Sequence, residues 1–162
     1  MTSRDRVLKT LKHCEPDRVP IDLGGMRSTG IHAKAYRRFV DYLGYRDLPV
    51  KVFDVHQMLA FVDDEIRREV HSDAIELKRL NGGFETRIDS WNGRNIFDDG
   101  SRYLFPDGFD PKVKEDGSLV IKSDGVEVAT MPRGIVATST GATFPWPMPG
   151  EKRRSRPLFC QD

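Results

Sequence analysis

Apolar residues recur at three- and four-residue steps in three stretches of the first 80 residues, separated by shorter runs with the spacing of strands. Val7, Leu8 and Leu11 form a helical stripe behind Thr2 or Ser3, either of which can cap the helix, with Asp5 in the first turn and an end expected near His13. The prolines of Glu15-Pro16-Asp17-Arg18-Val19-Pro20 disfavour helix at the residues before them. An extended loop is therefore expected to feed a short buried strand, Val19 to Leu23, closed by Gly24-Gly25. Ser28 and Thr29 are N-cap candidates for a second helix, with Ile31, Ala35, Phe39, Val40 and Leu43 on its apolar face and Gly44 as its stop. Pro49 opens a strand-like run, Val50 to Val55. Leu59 to Val70 reads as a third helix with one charged, solvated face, and Asp73 to Leu77 as another strand. The order αβαβαβ points to a parallel sheet or barrel with crossover helices.

The pattern changes at Asn81. Asn81-Gly82, Asn92-Gly93, Asp99-Gly100, Asp116-Gly117 and Asp124-Gly125 are turn dipeptides between alternating residues, which predicts an antiparallel meander from about Phe84 to Met131. If the last two are two-residue turns, Val113 pairs with Val120, Ile121 with Val128 and Leu119 with Thr130. Pro106 and Pro111 divide the meander into two hairpins. From Ile135 onward periodicity is lost among prolines and the basic run Lys152, Arg153, Arg154, Arg156, so this stretch reads as a disordered tail. The expected organisation is α/β units over 1–80, a β-hairpin module over 81–134 and the tail over 135–162.

Composition narrows the classes. With 162 residues, 38% hydrophobic and 31% charged, and a net charge of +1, the chain carries no broad basic field for nucleic acid. Cys14 and Cys160 are far apart and outside any CxxC spacing, so neither a disulfide framework nor a zinc ribbon is supported. No apolar run has the length of a membrane span and no leader-like apolar core follows Met1, so a cytoplasmic location without membrane contact is expected.

Ligands of parallel α/β folds sit beyond the carboxyl ends of strands, which directs attention to Asp22-Leu23-Gly24-Gly25-Met26-Arg27. Its glycines would let backbone approach a polar substrate flanked by Asp22 and Arg27; the same residues also read as a tight turn with a surface ion pair. The three-glycine dinucleotide fingerprint is missing. His32, in the first turn of the next helix, could act as acid, base or ligand, or be structural. Asp54 and Gln57, with His56 between them, form a second polar cluster in which Asp54 either holds substrate or caps the following helix. The adjacent pair His13-Cys14 does not make a zinc site.

Arg4-Asp5-Arg6-Val7-Leu8, Glu15-Pro16-Asp17-Arg18-Val19-Pro20 and Ile21-Asp22-Leu23-Gly24-Gly25 together resemble the opening of proteins of the uroporphyrinogen decarboxylase superfamily, in the branch of corrinoid-dependent and coenzyme M methyltransferases. The resemblance continues through Gly30-Ile31-His32-Ala33, Tyr36, Asp54, Gln57, Asp73, Asp89 and Trp91 to Met131-Pro132. It implies the N-terminal part of a (β/α)8 TIM-type barrel with a β-hairpin insertion, and a truncated, frameshifted or partial gene. It also implies a small-molecule substrate or corrinoid protein as partner, and self-association through the open barrel. Zinc and corrinoid are implied for the full-length parent, with no cofactor in this chain. Two departures weigh against porphyrinogen decarboxylation: one arginine, Arg27, stands where that enzyme has an arginine-rich segment, and Lys78-Arg79-Leu80 follows Leu77 in place of a Ser-Asp-Ile context.

Overall fold

The computed structural model describes residues 1–77, 82–97, 99–123 and 126–132. Helix α1 (Ser3–Leu11) starts where expected, the Asp5 amide donating to the Thr2 hydroxyl at 3.1 Å. Its inward residue is not apolar, however. Leu8 and Leu11 are exposed, and Arg6 is buried.

Helix α2 (Ala33–Tyr42) begins later than expected because His32, not Ser28 or Thr29, is its N-cap; those two residues lie in a short 3-10 turn, Arg27–Thr29. The later start rotates the apolar face onto Ala33, Tyr36 and Val40, and Ala35 turns to solvent. Strand β1 (Val50–Asp54) is covered on both faces, with Val50, Val52, Phe53 and Asp54 buried and Lys51 half-buried. Leu59 and Ala60 form β2 (Leu59–Ala60), antiparallel to β1, and so the third helix shrinks to α3 (Asp64–Glu69). The Tyr36 hydroxyl, buried, donates to Asp63 Oδ2 at 3.2 Å and accepts from the Asp63 amide at 3.0 Å, joining α2 to the start of α3.

Strands β3 (Arg87–Arg94) and β4 (Tyr103–Asp107) pair antiparallel, and β4 runs parallel to β1, giving one sheet of order β2-β1-β4-β3. Residues from the 1–80 and 81–134 segments thus share a sheet. Asn92-Gly93 lies inside β3 rather than at a turn; the β3–β4 connection is the longer stretch containing Asp99-Gly100. Pro106 falls beyond the rungs that β4 shares with β1, where no donor is required. Val55, Met58, Phe105 and Phe109 complete the core, with Phe105 stacked on Phe109 at 5.2 Å.

A second sheet, β5 (Lys112–Val113), β6 (Leu119–Ser123) and β7 (Val126–Met131), packs Leu119, Ile121 and Met131 against that core. Its register differs by one from the expected pairing. Lys112 faces Val120 and Val113 faces Leu119, because the Gly117 amide bonds to Lys114 O and Gly117 takes φ +79°, making a three-residue loop instead of a two-residue one. In the next hairpin Ser123 faces Val126 as a two-residue turn demands, and then a bulge between Ile121 and Lys122 shifts Ile121 onto Ala129 and Leu119 onto Met131. The turn residues Asp124 and Gly125 lie outside the described residues, as does the expected tail.

Two expected strands are absent. Val19–Leu23 and Asp73–Leu77 run side by side but share a single backbone bond, Asp73 N to Ile21 O at 2.7 Å. Pro20 has no amide to extend a ladder, and Val19, Ile75 and Leu77 stay exposed because no further strand among the described residues covers them. The described residues therefore form a mixed α/β fold without a closed barrel, and none of their helices is long and apolar enough to cross a membrane.

A charged hub does the joining that strands were expected to do. Arg6 grips Asp17 with two bonds, 2.7 and 2.9 Å, and reaches Asp73 Oδ1 at 2.5 Å. Arg18 contacts both Asp73 oxygens at 2.7 and 3.1 Å, and the Ile21 amide donates to Asp73 Oδ2 at 3.0 Å. Hydrogen bonding to Arg6 pushes Asp17 down to about 2. Burial acts to raise Asp73, but the Ile21 amide, Ser3, Arg18 and Arg6 outweigh it and hold the carboxyl well below its ordinary range. Stability from such depressed carboxyls is present above their unfolded value of about 3.9 and lost as pH falls through the folded values. Arg18→Gln removes two donors from Asp73. It is expected to raise the acid-unfolding midpoint, followed by circular dichroism, by roughly half a pH unit. An unchanged midpoint would contradict this role of Arg18.

Candidate functional site

The carboxyl end of β1 delivers Asp54 into the interior, with its side chain 1% exposed. A tight turn follows immediately, Met58 adopting φ +54° before β2 returns along β1. Asp54 Oδ1 stabilises that turn by accepting the amides of His56 and Gln57, each at 2.9 Å. Asp54 therefore caps a turn, not the start of a helix.

The other oxygen has a different partner. Asp54 Oδ2 lies 2.5 Å from Arg27 Nε, but off the axis of that N–H, so the contact is an ion pair and the oxygen has no hydrogen-bond donor among the described residues. A buried carboxylate oxygen left in this state still has lone pairs to offer. Arg27 itself is half-exposed, and among the described residues no other carboxylate pairs with it. One edge of its guanidinium is anchored, and the terminal nitrogens remain for an incoming anion.

His56 is covered by aromatic surface. Its ring meets Phe84 at 4.3 Å, and a Cβ at Gly83 would lie 2.1 Å from His56 Nε2, so only glycine allows this approach. Phe84 adopts φ +56° to reach the imidazole, a left-handed conformation that is strained for a bulky side chain. On the other side of β2, His32 and Leu59 form a bridge, so Leu59 is flanked by Asp54 and His32. Two strand spacings put the backbones of these residues about 9.5 Å apart.

The sequence candidates thus separate. Arg27, Asp54 and Gln57 come together. Asp22 instead accepts the Gly25 amide at 2.7 Å, and a Cβ at Gly24 or Gly25 would meet Val62 or Ala74, so the glycine turn packs against protein on that side. Asp22 and Arg27 form no ion pair, because Arg27 turns to Asp54. His32 accepts the Lys34 amide through Nδ1 at 3.2 Å and meets the tilted ring of Phe97 at 5.5 Å; burial, assisted by Lys34, pushes its pKa below the ordinary value. It caps the helix that follows it. Phe84 and Gly83 were not legible as site residues, since their approach to His56 depends on contacts between distant parts of the chain. Among the described residues, no group of three or more His, Cys, Asp or Glu could hold a metal ion.

Compared with known proteins, the chain matches no family model, no curated protein and no solved structure.

Asp54→Ala strips two backbone amides of their acceptor and is expected to cost about 2–3 kcal/mol in urea unfolding. Asp54→Asn keeps an oxygen for those amides, releases Arg27, and is expected to cost less than half as much. Equal losses for the two substitutions would show that charge, not amide capping, is what Asp54 supplies to stability.

Proposed function

We propose that this chain provides one wall of a strand-end ligand site of the uroporphyrinogen-decarboxylase-like type, as the first part of a (β/α)8 barrel. The ligand is a carboxylate-bearing tetrapyrrole or corrinoid, and Arg27 is the residue that binds its carboxylate. The observation that carries this reading is the Arg27–Asp54 pair at the end of β1: Asp54, locked by two amides, fixes the half-exposed guanidinium. Asp54 Oδ2 in turn is available to a donor on the same ligand. Gln57, within the Asp54 turn, lines the same edge.

The parent activity suggested by the resemblance is zinc- and corrinoid-dependent methyl transfer. The described residues do not supply a zinc ligand set, so the part assigned to this chain is binding and orientation, and no transfer step is assigned to its residues. The exposed apolar residues Val19, Ile21, Ile75 and Leu77 are the surface through which the chain would associate with the rest of such a barrel or with itself.

A second reading, a non-catalytic binding module, draws on the same pair, since Arg27 and Asp54 need no further catalytic group to hold a carboxylate. Titration with uroporphyrin and with dicyanocobyrinic acid, a corrinoid whose side chains are free carboxylates, followed by absorbance, tests the shared core of both readings. Arg27→Gln is expected to weaken binding roughly tenfold, the value of one charge-assisted pair, with unfolding little changed because the side chain is half-exposed. Equal affinity in Arg27→Gln, or no binding of either ligand to the unaltered chain, would overturn the proposal.

A further inference from the structure

We propose that a second site, the open groove between the start of α1 and the end of α3, binds the phosphate group of a small phosphomonoester. The groove has a volume of about 470 Å3 and shares no residue with the Arg27–Asp54 cluster. Arg18, Arg67, Arg68 and His71 line it, against one acidic side chain, Asp64. The hydroxyl residues Ser3 and Ser72 complete the wall.

The basic groups are not equally committed. Both terminal nitrogens of Arg18 are used, on Asp73 and on the carbonyls of Val19 and His71, so Arg18 is committed to Asp73 and closes the wall without offering a donor. Arg67 gives one terminal nitrogen to Asp64 and keeps its others. Arg68 has no hydrogen-bond or ion-pair partner among the described residues. Arg67, Arg68 and His71 therefore bring unused donors to one groove, with the Arg68 guanidinium the charge left for an anion.

The placement of His71 adds a separate observation. Its amide bonds to Arg68 O at 3.1 Å and the Ser72 amide to Arg67 O at 2.9 Å, which closes α3 with the usual pair of C-terminal bonds. The residue at that position must be left-handed, and His71 has φ +54°. Glycine adopts this conformation without strain, whereas a histidine is held there at some cost while its side chain lines the groove.

Donors from three separate side chains suit a tetrahedral dianion better than a planar carboxylate, which a single guanidinium saturates in two bonds. The groove is also far larger than a bare phosphate ion, leaving room for the organic part of an ester.

The test is calorimetric titration of the full chain with phenyl phosphate, inorganic phosphate, benzoate, and sodium chloride at matched ionic strength. Expected is saturable binding of phenyl phosphate, tighter than inorganic phosphate and much tighter than benzoate. Arg68→Gln and His71→Gly are each expected to weaken it roughly tenfold. His71→Gly removes the imidazole and relieves the left-handed strain, so it is expected to melt no lower than the unaltered chain, and this separates lost binding from lost folding. Unchanged affinity in both variants, or an effect reproduced by chloride, would overturn the site. Benzoate binding as tightly as phenyl phosphate would overturn its phosphate character, and inorganic phosphate binding as tightly would overturn the ester.

Discussion

The carboxylate of Asp73, buried and bonded to Arg6, Arg18 and the Ile21 amide, is the interaction on which the N-terminal half depends. It joins α1, the Glu15–Pro20 loop, the extended segment before Gly24 and the chain after α3. This explains how α1 can turn Leu8 and Leu11 to solvent and still hold its place. A buried ion cluster is weak evidence of net stabilisation, because desolvation opposes the Coulomb gain. What it supplies is position, since loss of the Asp73 carboxylate would leave Arg6, 7% exposed, without one of its two carboxylate partners.

Position is what the candidate site requires. Asp73 fixes Ile21, the turn after Ile21 is closed by Asp22 on the Gly25 amide, and that turn leads into the 3-10 stretch carrying Arg27. Asp54 arrives from the other direction, at the end of β1, with its own two amides. The Arg27–Asp54 pair is therefore the junction between a segment held by charge and a strand held by burial. The proposed phosphate groove adjoins the same hub through Arg18, so a single structural cluster supports both proposed sites.

Much of the fold was legible where the local code is strong. The Thr2 cap, β1 and the stop at Gly44 follow from side chains acting within a few residues. The losses have specific causes. Val19–Leu23 and Asp73–Leu77 have the composition of strands, but a strand exists only with partners, and among the described residues these two segments find an ion cluster instead. The hairpin registers moved by one because Gly117 closes a three-residue loop and a bulge follows Ile121, neither of which a turn dipeptide reveals. At the site, Arg27, Asp54 and Gln57 were legible from their place after strand-like runs. The roles of Asp22 and His32 were not, since a carboxylate that closes its own turn and a histidine that caps its own helix look, in sequence, like groups awaiting a ligand.

Hydrogen–deuterium exchange on Asp73→Asn, compared with the unaltered chain, tests the central claim that this carboxylate positions the Arg27 segment. Faster exchange is expected at amides of residues 18–30, including Ile21, Gly24 and Gly25, and in α1, while Val52, Ala60 and Phe105 keep their protection. Unchanged exchange at Ile21 and Gly25 would contradict it, and so would a uniform loss across β1 and β4, which would mean that Asp73 supports the core as a whole and not the segment that carries Arg27.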